Sequence, residues 1–420
     1  MKNTAYKLLL FALAANVFLT VPTFGKPVQP AFKTGVWRGV LQRPDGEQIV
    51  FNFTTTKIKG KTVLYVHNAS ERLLVDSIKQ NGDSIWIQMP FFASSFAARI
   101  TKDGNLEGNY IKNYGSKNSI IPFSASYGNS KRYNTSTSTS VYNITGKWAV
   151  KFDEKDTSLN SAIGEFIQEK NGRITGTFRT PTGDFRYLEG TVKGDSLQLS
   201  AFDGGHAVLF TAKIENGNTL SHAMMYSGLT ATQAWMAVKN ENATLPDSYN
   251  ITKMRPGETA LNFAFTSTDG KKISISDAQY KGKAVIVQIL GSWCPNCMDE
   301  TAFLSWFYKE NRARGIEIIG LAYERTEDFA ESKEALQPFQ KRFDVTYPFL
   351  VTGVTVSDEK RTEKTLPQLD EIKAFPTTIF IDKQGNVDEI HTGYDGPATG
   401  VHYEEFKKEF NNEIDKLLKK

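Results

Sequence analysis

Only two cysteines occur in the 420-residue chain, Cys294 and Cys297, with Pro295 and Asn296 between them. A Cys-x-x-Cys pair can pass two electrons by thiol–disulfide exchange, hold a metal together with further ligands, or staple a short loop. Cross-linking so short a loop removes little conformational entropy from the unfolded chain, which makes a purely structural disulfide a weak reading. A zinc site needs two more ligands, and neither a second Cys-x-x-Cys nor a nearby His pair offers them. The residues favour reversible exchange, with no metal and no bound cofactor.

The surrounding pattern places the pair where a strand gives way to a helix. Residues 284–290 form a nearly continuous apolar run, suited to a strand buried on both faces, and Phe303, Trp306 and Phe307 recur at helical spacing beyond the cysteines. Cys294 then falls at the helix cap, where free N–H groups and the helix dipole favour negative charge, and Pro295 suits the first helical position. An unperturbed thiol, with a pKa of about 8.5, supplies little thiolate at neutral pH. Cys294 is therefore expected to be the attacking sulfur, reachable from solvent, and Cys297, one turn inside, the resolving sulfur. A hairpin is expected around Asp269-Gly270, joining 260–265 to 272–275. Further strands are expected at 316–321 and 377–381, with helices at 328–342 and 402–418. In the last helix Phe406, Phe410, Ile414 and Leu417 mark an apolar face.

Residues 34–239 read differently: period-two alternation, frequent Gly, Asn and Asp turns, and little helical pattern, as in antiparallel sheet. Gly35-Val36-Trp37 anticipates Gly146-Lys147-Trp148, and Ala98-Arg99-Ile100 anticipates Ala212-Lys213-Ile214, an offset of about 110 residues that a tandem duplication explains. The expected organisation is a signal segment at 1–25, a β module at 26–127, a Ser/Thr-rich linker at 128–140 and a second β module at 141–240. A linker at 241–257 and an α/β domain at 258–420 complete it. Each module can close into a small barrel or sandwich. Trp37 and Trp148 are expected as core fillers rather than ligand-stacking aromatics. Phe91, Phe92 and Phe96 suit a buried hairpin corner better than an exposed apolar lip, and His206 and His222 lack obvious metal-binding partners.

With 40% hydrophobic and 23% charged residues the chain is of ordinary globular composition, large enough for several domains. Its net charge of +4 is too small an excess on this length to imply a nucleic-acid partner. Residues 1–25, with Lys2 and Lys7, an apolar run at 8–21 and a Pro22-Thr23-Phe24-Gly25 close, follow the pattern of a secretory signal peptide. An extracytoplasmic protein of the periplasm or cell envelope is expected, where a lone thiol pair can be oxidised.

Trp293-Cys294-Pro295-Asn296-Cys297, followed downstream by Phe375-Pro376-Thr377-Thr378, resembles a thioredoxin-fold domain. The preceding hairpin, and Glu300 after the second cysteine, make 258–420 most similar to the TlpA/ResA-type thiol-disulfide oxidoreductases and, more broadly, AhpC/TSA-like. The likeness covers under half of the chain. Together with the repeated β pattern it gives a multidomain fold class, with duplicated antiparallel all-β modules ahead of an α/β thioredoxin-like domain. It also implies that Pro376 is a cis-proline facing the cysteines, and that Trp293, Phe375, Pro376 and Thr377 border a substrate-binding groove. Phe375 departs from the smaller residue common at its position, which suggests a narrower or more apolar groove. Thioredoxin carries a buried carboxylate where this chain has Gln288, and a neutral amide cannot accept the proton. Glu300 matches the acid of the TlpA/ResA-like group and is the expected acid/base.

The expected activity is exchange with cysteine-containing protein substrates, as a reductase fed by a membrane-embedded thiol donor. Two rivals remain. A peroxidase of the same fold is disfavoured because its reactive cysteine lies in a Pro-Thr-containing loop, unlike the segment here. An envelope binding or assembly protein, whose β modules hold a polymer, lipid or partner, would leave the redox chemistry secondary.

Overall fold

The alternating pattern of the first half becomes two antiparallel sheets. The computed structural model describes residues 30–114, 117–133, 142–152 and 161–420. The expected signal peptide at 1–25 and part of the expected linker, 134–140, lie outside the described residues.

The first sheet is a nine-stranded meander whose opening strand, Gly35–Gln42, pairs with Gln48–Ile58 on one side and with its closing strand, Lys117–Tyr127, on the other. Its edges are Glu71–Val75 and Ser77–Asn81. The second sheet closes on itself. Gly146–Phe152 pairs with both Ser161–Gln168 and Ala231–Lys239, and Ser161–Gln168 also pairs with Arg173–Thr180, so eight of its nine strands form a ring without a free edge. The ninth, Gly183–Asp184, folds back on Arg179 and Thr180 as a short hairpin. Trp37 and Trp148, each in the first strand of its sheet, are fully buried. Their indole N–H groups donate to the carbonyls of Lys33 and Ile144 at 3.3 and 2.8 Å. Both are core residues, with the polar handle satisfied locally.

The last third of the chain is a seven-stranded sheet flanked by helices. Its central strand, Ala284–Leu290, pairs in parallel with Ile316–Ala322 and antiparallel with Thr377–Ile381. All seven central residues are buried. Ile286 and Leu290 face one core, and Val287 and Ile289 face the other, as a strand covered on both sides requires. Beyond Ile316–Ala322 the sheet continues through Phe349–Val351 to the hairpin Ala264–Ser267 and Lys272–Ser274, and beyond Thr377–Ile381 it ends at Val387–Thr392. Gly270, at φ 87°, sits in the turn of that hairpin, a conformation that glycine adopts freely. Four helices belong to this domain: α1 (Pro295–Asn311), α2 (Phe329–Phe343), α3 (Arg361–Thr365) and α4 (Val401–Lys419). Asp328 caps α2 by accepting from the Glu331 N–H at 2.8 Å, and α4 buries Phe406, Phe410, Ile414 and Leu417. Phe349–Val351 and α3 are too short to leave a periodic trace in the sequence.

The three units are packed together more tightly than the linkers suggest. Arg132, within the expected Ser/Thr-rich linker at 128–140, is 5% exposed and donates to the carbonyls of His67 and Ser200, one in each β module. The guanidinium is held because several of its donors find carbonyls in a fixed arrangement. In the second linker Ile251 and Thr252 are buried, and Met254 bridges to Leu369 of the α/β domain. Phe91 and Phe92 form neither an exposed lip nor a corner internal to their module. Phe91 packs on Phe339 and Phe343 of α2, with ring centroids 5.3 and 5.6 Å away, and Phe92 stands edge-on to His206. Among the described residues no helix is long and apolar enough to cross a membrane.

Candidate active site

Cys294 is the N-cap of α1. Its backbone is extended, its Sγ accepts from the Cys297 N–H at 3.2 Å, and Pro295 fills the first helical position. The sulfur therefore occupies the place where a helix N–H without an intrahelical partner points at it. Both cysteines are free thiols. Cys297 is fully buried, and burial, followed by the adjacent Cys294 sulfur, pushes its thiol well up. The pair is thus asymmetric, with one sulfur accepting from a helix N–H and the other fully buried with its thiol pushed well up.

Glu300, one turn further along α1, is fully buried. One carboxylate oxygen accepts from the Gln288 amide at 2.8 Å and the other from the Thr378 hydroxyl at 2.6 Å. Burial raises its pKa to about 7, against the pull of those two hydrogen bonds. It is a dry carboxyl inside the domain, not a solvated helix glutamate. Gln288 is the clamp that presents the carboxyl, and its amide also donates to the Thr301 hydroxyl at 3.2 Å. Thr378 was not singled out in the sequence, although a hydroxyl in a strand buried on both faces needs a partner and so signals one.

The Phe375–Pro376 peptide is cis. Cys294 Sγ lies 3.4 Å from the Phe375 carbonyl oxygen, to which the thiol donates, and the Pro376 carbonyl accepts from the Gly393 N–H at 2.9 Å. Trp293 stands edge-on to Phe375 at 5.2 Å and donates from Nε1 to the Tyr323 carbonyl at 2.8 Å. Thr377 is fully buried and its hydroxyl donates to the Ala374 carbonyl at 2.9 Å, so its side chain supports the loop rather than lining a groove. A further anchor went unnoticed in the sequence. Buried Glu324 accepts from the Ser292 N–H and hydroxyl at 2.8 and 2.6 Å, fixing the turn that leads into Cys294.

Cys294 is 4% exposed, which corrects the expectation of a freely reachable sulfur. Its rim is occupied by the second β module. A Cβ on Gly183 would stand 2.0 Å from Asn296 Nδ2, and a Cβ on Gly393 would stand 2.8 Å from the Thr182 carbonyl carbon. Contacts this close are open only to glycine. Asp184 accepts from the Gly396 N–H at 2.7 Å, and Arg179 grips Asp395 with two donors at 2.9 and 2.8 Å. Arg186 joins all three units, pairing with Glu71 of the first sheet and, at 3.2 Å, with Asp299 of α1. Burial raises Asp299 to about 7 even with Arg186 beside it, and raises Asp184 to about 6.

Residues 256–390 match the AhpC/TSA family. Over 137 residues the chain is 30% identical to the thiol-disulfide oxidoreductase ResA of Bacillus subtilis (strain 168), a match that covers 33% of this chain and 67% of that protein. Over 157 residues it is 32% identical to ResA of Bacillus thuringiensis subsp. konkukian (strain 97-27), covering 37% of this chain and 79% of the relative. A thiol:disulfide interchange protein of the thioredoxin family from Chlorobium tepidum TLS, solved by crystallography, aligns over 40% of this chain and 99% of its own at 25% identity, with a TM-score of 0.30.

Proposed function

Since the chain belongs to the ResA-like thiol-disulfide oxidoreductases, we propose that it reduces disulfides of cysteine-containing proteins outside the cytoplasm, with Cys294 as nucleophile and Cys297 as resolving thiol. The observation that carries this reading is the asymmetry of the pair, Cys294 as the sulfur that caps α1 and Cys297 as a fully buried thiol.

The Cys294 thiolate attacks one sulfur of a substrate disulfide, and the other substrate sulfur leaves as a thiolate and takes a proton. Cys297 then loses its proton to Glu300 and attacks Cys294, which releases the second substrate sulfur as a thiolate that is protonated in turn. The substrate gains two electrons and becomes a dithiol, and the protein is left with a Cys294–Cys297 disulfide. A membrane-embedded thiol donor reverses that oxidation. Trp293, Phe375 and Pro376 flank the attacking sulfur and border the groove for the substrate chain, whose backbone pairs beside Pro376. The two β modules are a tandem duplication, 26–127 and 141–240, preceding the redox domain at 258–420, and the protein is exported by the segment at 1–25.

Cys297→Ser tests the exchange. The variant, expressed with its own leader, is expected to accumulate mixed disulfides through Cys294 that reducing agent dissolves and that identify the substrates. No adduct under mild oxidation, with Cys294 intact and reduced, defeats the mechanism.

A further inference from the structure

We propose that the hairpin tip at 181–184 is a specificity-determining cover on the redox site, which a protein substrate has to displace before its disulfide reaches Cys294. The inference rests on the exchange reading above and adds to it the reason why the attacking sulfur is covered.

The cover lies on the rim where a substrate chain would run. Gly393 donates its N–H to the Pro376 carbonyl, so it marks the ground beside the proline, and the Thr182 backbone rests directly on it. Gly183, at φ 137°, meets the side chain of Asn296, one of the two residues between the cysteines and itself only 7% exposed. An incoming peptide and this hairpin therefore compete for the same surface.

The ties that hold the cover are polar. Asp184 binds the Gly396 N–H, Arg179 binds Asp395, and His402 Nε2 lies 3.0 Å from Glu165 of the same barrel. Partly solvated ion pairs and single hydrogen bonds are each worth little, so a partner that offers replacement contacts can exchange for them at the tip, while the buried Arg186–Asp299 pair just past it holds the base of the hairpin in place. The apolar attachment of the first β module lies elsewhere, where Phe91 meets Phe339 and Phe343 of α2. The tip at 181–184 meets the α/β domain through backbone and polar contacts, so lifting it breaks no aromatic packing between the two among the described residues. A small disulfide needs only a narrow opening beside Cys294, whereas a loop of a folded protein needs the whole rim.

The full chain tests this with two variants, Gly183→Val, which wedges the hairpin off Asn296, and Arg179→Ala, which cuts its tie to Asp395. Each is checked for folding by circular dichroism, and Arg179→Ala carries the test if Gly183→Val does not fold. Insulin reduction and dithiobis(nitrobenzoate) reduction are measured side by side. The expected result is insulin reduction faster by about tenfold, the change that follows when a site closed about nine-tenths of the time is opened, with the small disulfide reduced at an unchanged rate. Equal insulin rates in wild type and folded variant overturn the cover alone. Failure of wild type and variants to reduce either disulfide overturns the exchange reading itself.

Discussion

The side-chain amide of Gln288 donates to Glu300 Oε2 at 2.8 Å, from the central strand to the first helix of the redox domain. The strand thus contributes a neutral donor and the helix contributes the acid. A carboxyl presented in this way is dry, held by two hydrogen bonds and titrates near the pH at which thiols are exchanged. The pair replaces a single strand-borne carboxylate with a helix-borne one that a strand residue orients.

Glu300→Gln removes that acid while keeping its shape. Insulin reduction is expected to fall by about a hundredfold, the usual scale for a lost general acid/base, and its pH profile to lose the limb near 7. The variant also tests stability. The folded-state pKa of Glu300, about 7, lies above its ordinary value of 4.5. The stabilisation it brings is therefore full below about 4.5 and lost as pH rises through 7. Urea melts at pH 8 are expected to find the variant more stable than wild type by roughly 3 kcal/mol, and melts at pH 4 to find little difference.

Gln288→Leu leaves Glu300 with Thr378 as its hydrogen-bond partner. Loss of a donor to the ionised form raises the Glu300 pKa further, and the fold is expected to weaken by about 1–3 kcal/mol at neutral pH. Carboxyl titration by NMR and denaturant melts measure the two effects separately. An unchanged titration would show that the amide does not orient the acid.

Arg186→Met strands Glu71 and Asp299, with Asp184 and Asp203 also near, around a missing cation. Removal of one partner of a buried ionic cluster costs about 3–5 kcal/mol when the remaining carboxylates stay charged. Asp184 and Asp299, raised to about 6 and 7, are protonated at low pH. Their stabilisation is present below their ordinary range and lost as pH rises through 6 and 7. The variant is therefore expected to lose more thermal stability at pH 8 than at pH 5, as read by calorimetry.

Trp37→Ala and Trp148→Ala each empty a fully buried site and are expected to cost about 3–5 kcal/mol in denaturant melts. A ligand-stacking role would instead leave the melts nearly unchanged.

Chemistry written within one or two helical turns was legible without coordinates. Cys294 as a cap and Pro295 in the first turn follow from spacing alone, because a helix fixes the relative positions of near neighbours, whereas Glu300 was picked out by the resemblance to the TlpA/ResA-like group. The buried strand Ala284–Leu290 and the apolar face of α4 were legible for the same reason, since burial imposes a period on the sequence. Pro376 stood out only because a motif surrounds it.

Tertiary structure alone decided which residues far apart in the chain close over that site. Arg179 and Asp395 are 216 positions apart, Arg186 reaches both Glu71 and Asp299, and Gly183 rests on Asn296. Such contacts join single polar or glycine positions on different units, and one charge or one glycine leaves no period to read. The sequence by itself therefore determined the cysteine pair and the element that carries it, while packing of the β modules against α1 determined how far the pair is exposed, because exposure depends on neighbours that no local pattern encodes.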